Sequence, residues 1–475
     1  MPFTYDIVLC NARVVDPAND LDGVYSVGIK NGRIAEVSEE NIENGARQIF
    51  DLEGLLILPG LIDIHTHLTM NFGGSSGGHH MLAKAGVCTA LDLAGPAPEF
   101  LETMRTCGAG LNAATLESAR PGENLSGNNP DRKELDGFIA SSLESGSLGV
   151  KLLGGHFPMT PDASASFVDA AATQGAYVSW HAGSTETCNT IAALREVLEC
   201  SDGHHIHVAH INSYCRGMTK DALEEVQDAF SLLARYPKAF SEAYLSENNG
   251  TMFVFNDQGK MKSNSTGRIL DHFGFGDSPE GLEQAMRSGF ARVLKPVGLE
   301  SVPLYGEEAV KYWNESGRNT AGGFTVNPAM PRIALCLGKY DNGDFRIDAI
   351  STDGGAIPRN VLLSHGLSLV ALGGLTLAEF VRKTSYTPSR LLNLRDKGHL
   401  GKGADADITV VDLKKNEPVM TMVGGKVCMY KGIVTGTGGT VITSARGEKA
   451  VRDAGLNALV VDTADGPLPF RKSST

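Results

Sequence analysis

No apolar run in this chain reaches the ~18 residues that a membrane-crossing helix needs, so membrane association through such a helix is not expected. Basic charge is also scarce. Against 55 Asp and Glu stand 42 Lys and Arg, a formal balance of −13. Phosphate recognition needs clustered Lys and Arg, so a nucleic-acid surface is not expected either. The eight cysteines (10, 88, 107, 188, 200, 215, 336 and 428) include no CxxC pair. That removes a zinc ribbon or a disulfide frame and leaves reduced, mostly buried thiols. Residues 1–6 (MPFTYD) lack the charged-then-apolar pattern of a secretory signal, and the expectation is a cytoplasmic chain with a small-molecule partner.

What remains is an ordinary globular composition, 42% hydrophobic and 20% charged over 475 residues. Its 56 glycines fit a fold with many tight strand-to-helix turns. Residues 1–57 carry short alternating runs (5–10, 12–15, 24–30, 48–52) broken by turn signals such as Lys30-Asn31-Gly32. The same texture returns at 406–413, 418–423 and 426–430 within 391–445. Two strand-only segments around a long middle imply one small β domain assembled from both ends, followed by a loose tail at 446–475.

The middle, 58–390, alternates apolar strand-like runs (61–65, 89–93, 111–116, 149–153, 176–181, 206–210) with helical stretches, which implies a parallel α/β sheet. Lys151, His181 and His210 end consecutive runs at spacings of 30 and 29 residues (181 − 151 and 210 − 181), one βα unit each. That regularity favours a closed barrel. The rhythm fails between His210 and the next strong strand at 346–352, and an insertion over about 246–345 is expected. Its Asn-, Ser-, Gly- and Lys-rich part, 253–276, reads as a candidate lid.

The chemistry-bearing residues sit at the ends of these strands, where barrel enzymes build their sites. In LPGLIDIHTH (58–67), His65 and His67 share one face because residues i and i+2 of a strand do. Neutral and converging, they make half a metal site. Lys151 ends the apolar run GVKLL. Burial there favours the neutral amine, which carbon dioxide can convert to an anionic carbamate able to bridge two cations. His181 ends YVSWH, His210 ends IHVAH, and Asp353 ends AISTD before two glycines. His207 falls on the face opposite His210 and reads as packed or as a support behind a ligand. Asn212, Tyr214 and Arg216 directly follow His210, which makes them candidate substrate contacts. Arg216 is suited to a carboxylate. His79-His80 reads as a helix start after the glycine- and serine-rich loop 73–78.

LPGLIDIHTH, the strand-end Lys151, His181 and His210, Asp353 in STDGG, and GHLGKGADADITVVDL (398–413) together resemble the amidohydrolase superfamily. The resemblance is nearest to its branch of hydantoinases, dihydroorotases, isoaspartyl dipeptidases and N-acyl-D-amino-acid deacylases. It implies a (β/α)8 TIM-type barrel with a small β-sandwich domain built from both termini. It also implies two divalent cations, zinc by preference: the buried one on His65, His67 and Asp353, the exposed one on His181 and His210, with carboxylated Lys151 bridging. The activity implied is hydrolysis of an amide C–N bond in a cyclic amide or an N-acyl amino acid. A hydroxide shared by the cations would attack, and Asp353 would carry the proton. Where the hydantoinase branch has a tyrosine for the developing oxyanion, this chain has His156, a candidate N–H donor. The alternative is a mononuclear, deaminase-type member, for which the strand-end Lys151 has no use. By analogy, a dimer or tetramer is expected.

Overall fold

The computed structural model describes residues 3–69, 77–201 and 203–469. Residues 73–76 of the glycine- and serine-rich loop and the basic end 471–475 lie outside them. Eight parallel strands form the centre of the molecule: Leu61–His67, Val87–Asp92, Ala109–Ala119, Gly149–Leu153, Tyr177–His181, Ile206–Val208, Ala239–Tyr244 and Ala349–Ser351. We number them barrel strands 1 to 8. Each pairs in parallel with the next, from strand 1 through to strand 8. Two residues beyond strand 8, Gly354 and Gly355 pair with Thr66 and His67 of strand 1, which closes the ring. The fold is thus a TIM-type α/β barrel. Its strands read as continuous apolar runs because both faces are covered, one by the barrel interior and the other by helices. Trp180, Phe100, Phe167 and Phe380 are among the largest side chains buried there.

The chain termini meet in a second body. Leu56–Pro59 pairs antiparallel with Ile408–Asp412 and parallel with Tyr5–Asp16, joining N- and C-terminal strands in a nine-stranded sheet. The strands expected as a sandwich belong to one hydrogen-bonded sheet. The turn at Asn31-Gly32 backs onto Gly424 so closely that a Cβ at Gly32 would lie 2.8 Å from the Gly424 carbonyl oxygen. Leu9, Val14, Val27, Ile57, Val410 and Met422 fill the core.

Two expectations need correction. The end of the segment expected as small β domain joins the barrel instead, since Gly438–Thr443 pairs with strand 3, and the expected loose tail is partly ordered on it, since Asn457–Val460 pairs with Gly438–Thr443. Buried Val441 and Ile442, an apolar pair in a short strand, explain why this part docks. Second, helix Ala329–Leu337 packs on helix Ala222–Leu233 as an ordinary barrel helix, so the insertion after strand 7 is shorter than 246–345. The inserted part is a compact subdomain. A four-stranded antiparallel sheet (Thr251–Phe253, Thr320–Phe324, Ala291–Val297, Glu300–Leu304) packs with helices Asn264–His272, Pro279–Arg287 and Gly306–Glu315 around Phe253, Trp313 and Phe324. Among the described residues, no helix is long and apolar enough to cross a membrane.

Candidate metal centre

A cavity of about 520 Å³ opens at the C-terminal end of the barrel, and His65, His67, Lys151, His156, His181, His210, Arg216 and Asp353 all line it. The strand pattern accounts for the convergence. His65 and His67 project from the end of strand 1, Lys151 from strand 4 and His181 from the last position of strand 5. His210 follows strand 6 in a left-handed conformation (φ 34°), and Asp353 follows strand 8 in another (φ 53°). These bends turn both side chains inward. Non-glycine residues pay for such φ values, and they persist where surrounding bonds over-determine them. Here the Asp353 backbone N–H donates to the His65 carbonyl (2.8 Å), and the His210 N–H donates to Glu242 (2.5 Å).

The groups are packed at ligand distances from one another. A nitrogen each of His65 and His210 and a carboxylate oxygen of Asp353 lie within 4.8 Å of one another. Asp353 Oδ1 is 2.8 Å from His67 Nε2 and 3.2 Å from His65 Nε2. Lys151 Nζ is 3.3 Å from His65 Nε2. The His181 and His210 rings stand edge to face with centroids 4.4 Å apart.

Burial sets the charge states. It lowers His65 to about 4, with the Lys151 ammonium adding to the effect. It also drives His181 and His210 well below the usual imidazole range. Lys151 is pushed down to about 8 by the same desolvation. Burial alone would raise Asp353, but the Arg359 guanidinium and the neighbouring imidazoles hold it far below the usual carboxylate range. Neutral imidazoles with free lone pairs, an ionised carboxylate and a partly deprotonated amine are a donor set for a divalent cation such as zinc. His210 Nδ1 is buried without a hydrogen-bond partner, as is His67 Nδ1. Nitrogens left unpaired in this way fit a site that a cation completes.

Several supporting residues escaped the sequence reading. Glu242, in strand 7, is fully buried behind the histidines: Oε1 accepts from His65 Nδ1–H (2.6 Å) and from the His210 N–H, and Oε2 accepts from the Ser351 hydroxyl. This bond fixes the proton of His65 on Nδ1 and leaves Nε2 facing the cavity, the usual role of a carboxylate behind a ligand histidine. A signal existed. Glu242 lies 32 residues after His210 (242 − 210), continuing the 30- and 29-residue spacing, in the short run AFSEAY. Asp63 Oδ2 accepts from Thr352 Oγ1 (2.5 Å), tying strand 1 to the turn that carries Asp353. Arg359 pairs with Asp353 Oδ2 at 2.5 Å and donates to the Asn248 carbonyl at 3.0 Å. Asn189 Oδ1 is 2.5 Å from His181 Nε2.

The candidate substrate contacts divide. Asn212 and Tyr214 do not face the cavity. Asn212 bonds both ways to the Tyr244 backbone (3.0 and 2.8 Å), and the Tyr214 hydroxyl lies between Ala182 N–H (2.8 Å) and the Ala209 carbonyl (3.0 Å). The turn after His210 is a 3-10 helix, Ile211–Tyr214, which swings both side chains back into the barrel wall. Arg216 does line the cavity. Its Nε and Nη2 are already committed to Asn327 Oδ1 (2.9 Å), Ser213 Oγ (3.2 Å) and the Tyr244 hydroxyl (3.2 Å). His207 packs on Phe240 with ring centroids 5.3 Å apart, away from the cavity. His79 is buried in helix Gly78–Lys84. The inserted subdomain supplies a wall not foreseen residue by residue: Thr251, Met252, Val254, Lys262, Ser263, Ser265 and Asn319.

Comparison with known proteins agrees with this architecture. The amidohydrolase family model matches residues 332–428. A dihydroorotase of Geobacter metallireducens is 24% identical over 479 aligned positions, spanning 90% of this chain and all of the relative. A crystal structure of D-aminoacylase superposes with a TM-score of 0.64 at 16% identity, covering 92% of this chain and 99% of that one. A D-hydantoinase structure gives 0.59 at 16% identity, covering 92% and 99%. With the strand-end residues and the closed barrel, these similarities support a relationship to the amidohydrolase superfamily. The relatives and neighbours it resembles include dihydroorotases, hydantoinases and D-aminoacylases.

Proposed function

We propose that this chain is a metal-dependent hydrolase that cleaves an amide C–N bond in a cyclic amide of the hydantoin or dihydropyrimidine kind, or in an N-acyl amino acid. The observation that carries the reading is the meeting of His65, His67, Lys151, His181, His210 and Asp353 in one cavity. In this reading His65, His67 and Asp353 would hold one cation and His181 and His210 a second, and Lys151, once carboxylated, would supply a ligand to both. With a pKa of about 8, roughly a tenth of the Lys151 amine is unprotonated at pH 7, against about 0.03% for an unperturbed lysine. The neutral amine adds carbon dioxide, forming an N–C bond and releasing one proton, and the resulting carbamate is anionic and bidentate.

Bound divalent cations polarise a carbonyl and lower the pKa of water. The chain's own groups do the rest. Asp353, ionised and oriented by Arg359, accepts the proton of the attacking water and returns it to the departing nitrogen. His156, on the loop after strand 4, donates an N–H to the carbonyl oxygen as negative charge develops there. Lys262 and Arg120 stand among the lining residues with Arg216, against apolar Leu153, Phe157, Met252, Val254 and Ile357. Cationic groups beside an apolar wall suit an amide that also carries a carboxylate. The buried Lys151 beside His65 supports the two-cation reading over a mononuclear, deaminase-type one.

Metal analysis of the purified chain, together with assays on hydantoins, dihydropyrimidines, dihydroorotate and N-acyl amino acids, tests the proposal. Two divalent cations per chain and release of an amine or ring opening are expected. One cation per chain with ammonia released from an amino-substituted ring would replace it with the deaminase reading.

A further inference from the structure

The first turn of helix Asn264–His272, in the inserted subdomain, touches the metal-centre loops through two serines. Ser263 Oγ lies 2.7 Å from His156 Nδ1, and Ser265 Oγ bonds Asn189, the partner of His181. The Ser265 backbone N–H also donates to the Gly155 carbonyl (3.1 Å), so this turn is fixed against the loop that carries His156.

The direction of the Ser263–His156 bond follows from what else Ser263 does. Its hydroxyl oxygen caps the helix by accepting the Thr266 N–H (3.3 Å), and it accepts the Thr266 hydroxyl as well (2.9 Å). A serine hydroxyl has two lone pairs and one proton. With both lone pairs used, only the proton remains for His156 Nδ1. The Thr266 hydroxyl, having given its own proton to Ser263, accepts from the Thr251 hydroxyl at 2.6 Å. Thr251, Thr266, Ser263 and His156 therefore form a chain in which each hydroxyl donates to the next, and such chains reinforce their own polarity.

We propose that Ser263 is a positioning residue: by donating to His156 Nδ1, it keeps the His156 proton on Nε2 and presents that N–H to the cavity. In a neutral imidazole the nitrogen that accepts leaves the other as the donor. A ring with its proton on Nδ1 would turn a lone pair toward the substrate carbonyl and repel the developing charge. The inference deepens the role proposed for His156 and rests on it for its catalytic consequence, though not for the tautomer itself.

Long-range 1H–15N correlation spectra of the histidine-labelled, zinc-loaded enzyme read the tautomer, with His156 assigned by its loss in His156→Gln. The wild type and Ser263→Thr, which keeps the hydroxyl, should both show a protonated Nε2 and an unprotonated Nδ1. Ser263→Ala and Ser263→Gly should lose that single pattern. Glycine is tolerated at a helix cap almost as well as serine, so an effect shared by both variants is not a failure of the helix. In both, kcat on the amide turned over should fall roughly tenfold, the lower end of what losing an orienting partner costs, with KM little changed. A wild-type His156 protonated on Nδ1, or an unchanged pattern in Ser263→Gly, overturns the inference. If the pattern shifts as expected but kcat does not move in either Ser263→Gly or His156→Gln, Ser263 still sets the tautomer and the catalytic role given to His156 is wrong.

Discussion

The two halves of the cavity are built on different principles. The barrel half takes His65, His67, Lys151, His181 and Asp353 from the ends of strands whose backbones are paired on both sides. Its charged groups are locked by partners that are themselves buried, Glu242 behind His65 and Arg359 beside Asp353. The other half comes from a subdomain with its own core around Trp313, which reaches the site through a helix start and loop side chains. Rigid strand ends suit groups that must sit within fractions of an ångström of reacting atoms. A subdomain with a separate core can change its wall residues without disturbing the strand ends of the barrel.

The sharpest way to break this contrast is Asp353→Asn. The variant keeps the shape of the side chain and removes the base, so kcat should fall by about 10³, within the range for a general acid–base group. Circular dichroism and the thermal midpoint should show a folded protein; near-normal turnover would remove Asp353 from the mechanism. Next in size, Trp313→Ala empties a buried aromatic site in the subdomain at a cost of ~3–5 kcal/mol. Because that core is separate, metal content should hold while KM rises, as paired metal analysis and steady-state kinetics would reveal. Loss of metal in this variant would mean the two halves are not separable. Glu242→Gln keeps a hydrogen-bonding side chain but takes away the charge behind His65, and metal affinity should weaken by about 10- to 100-fold in a chelator competition. The smallest effect is expected from Lys84→Ala. It breaks the ion pair with Glu300, which links helix Gly78–Lys84 to the subdomain hairpin. Both partners are substantially exposed, so the change should stay within ~1 kcal/mol in denaturant melts, with unaltered kinetics.

Much of the barrel half was legible in advance because its signals are local. Alternation put His65 and His67 on one face, and one βα unit per ~30 residues marked the strands bearing Lys151, His181 and His210. Glu242 continues that spacing, but the insertion that follows its strand at once breaks the rhythm that would single it out. Asn212 and Tyr214 were misplaced for a local reason too: following a cavity residue in sequence says nothing once the chain turns into a 3-10 helix, where each step rotates the side chain by about a third of a turn.

What the sequence determined by itself, then, was the order of strands and the residue types at their ends, since strand periodicity and burial of apolar runs act over a few residues. Only the tertiary structure decided that Arg359 grips Asp353, that the strand of Val441 docks onto the barrel and not the small β domain, and that Ser263 meets His156 from 107 residues away. Those contacts depend on where whole segments pack, and packing is set by the fit of surfaces that no short stretch of chain contains.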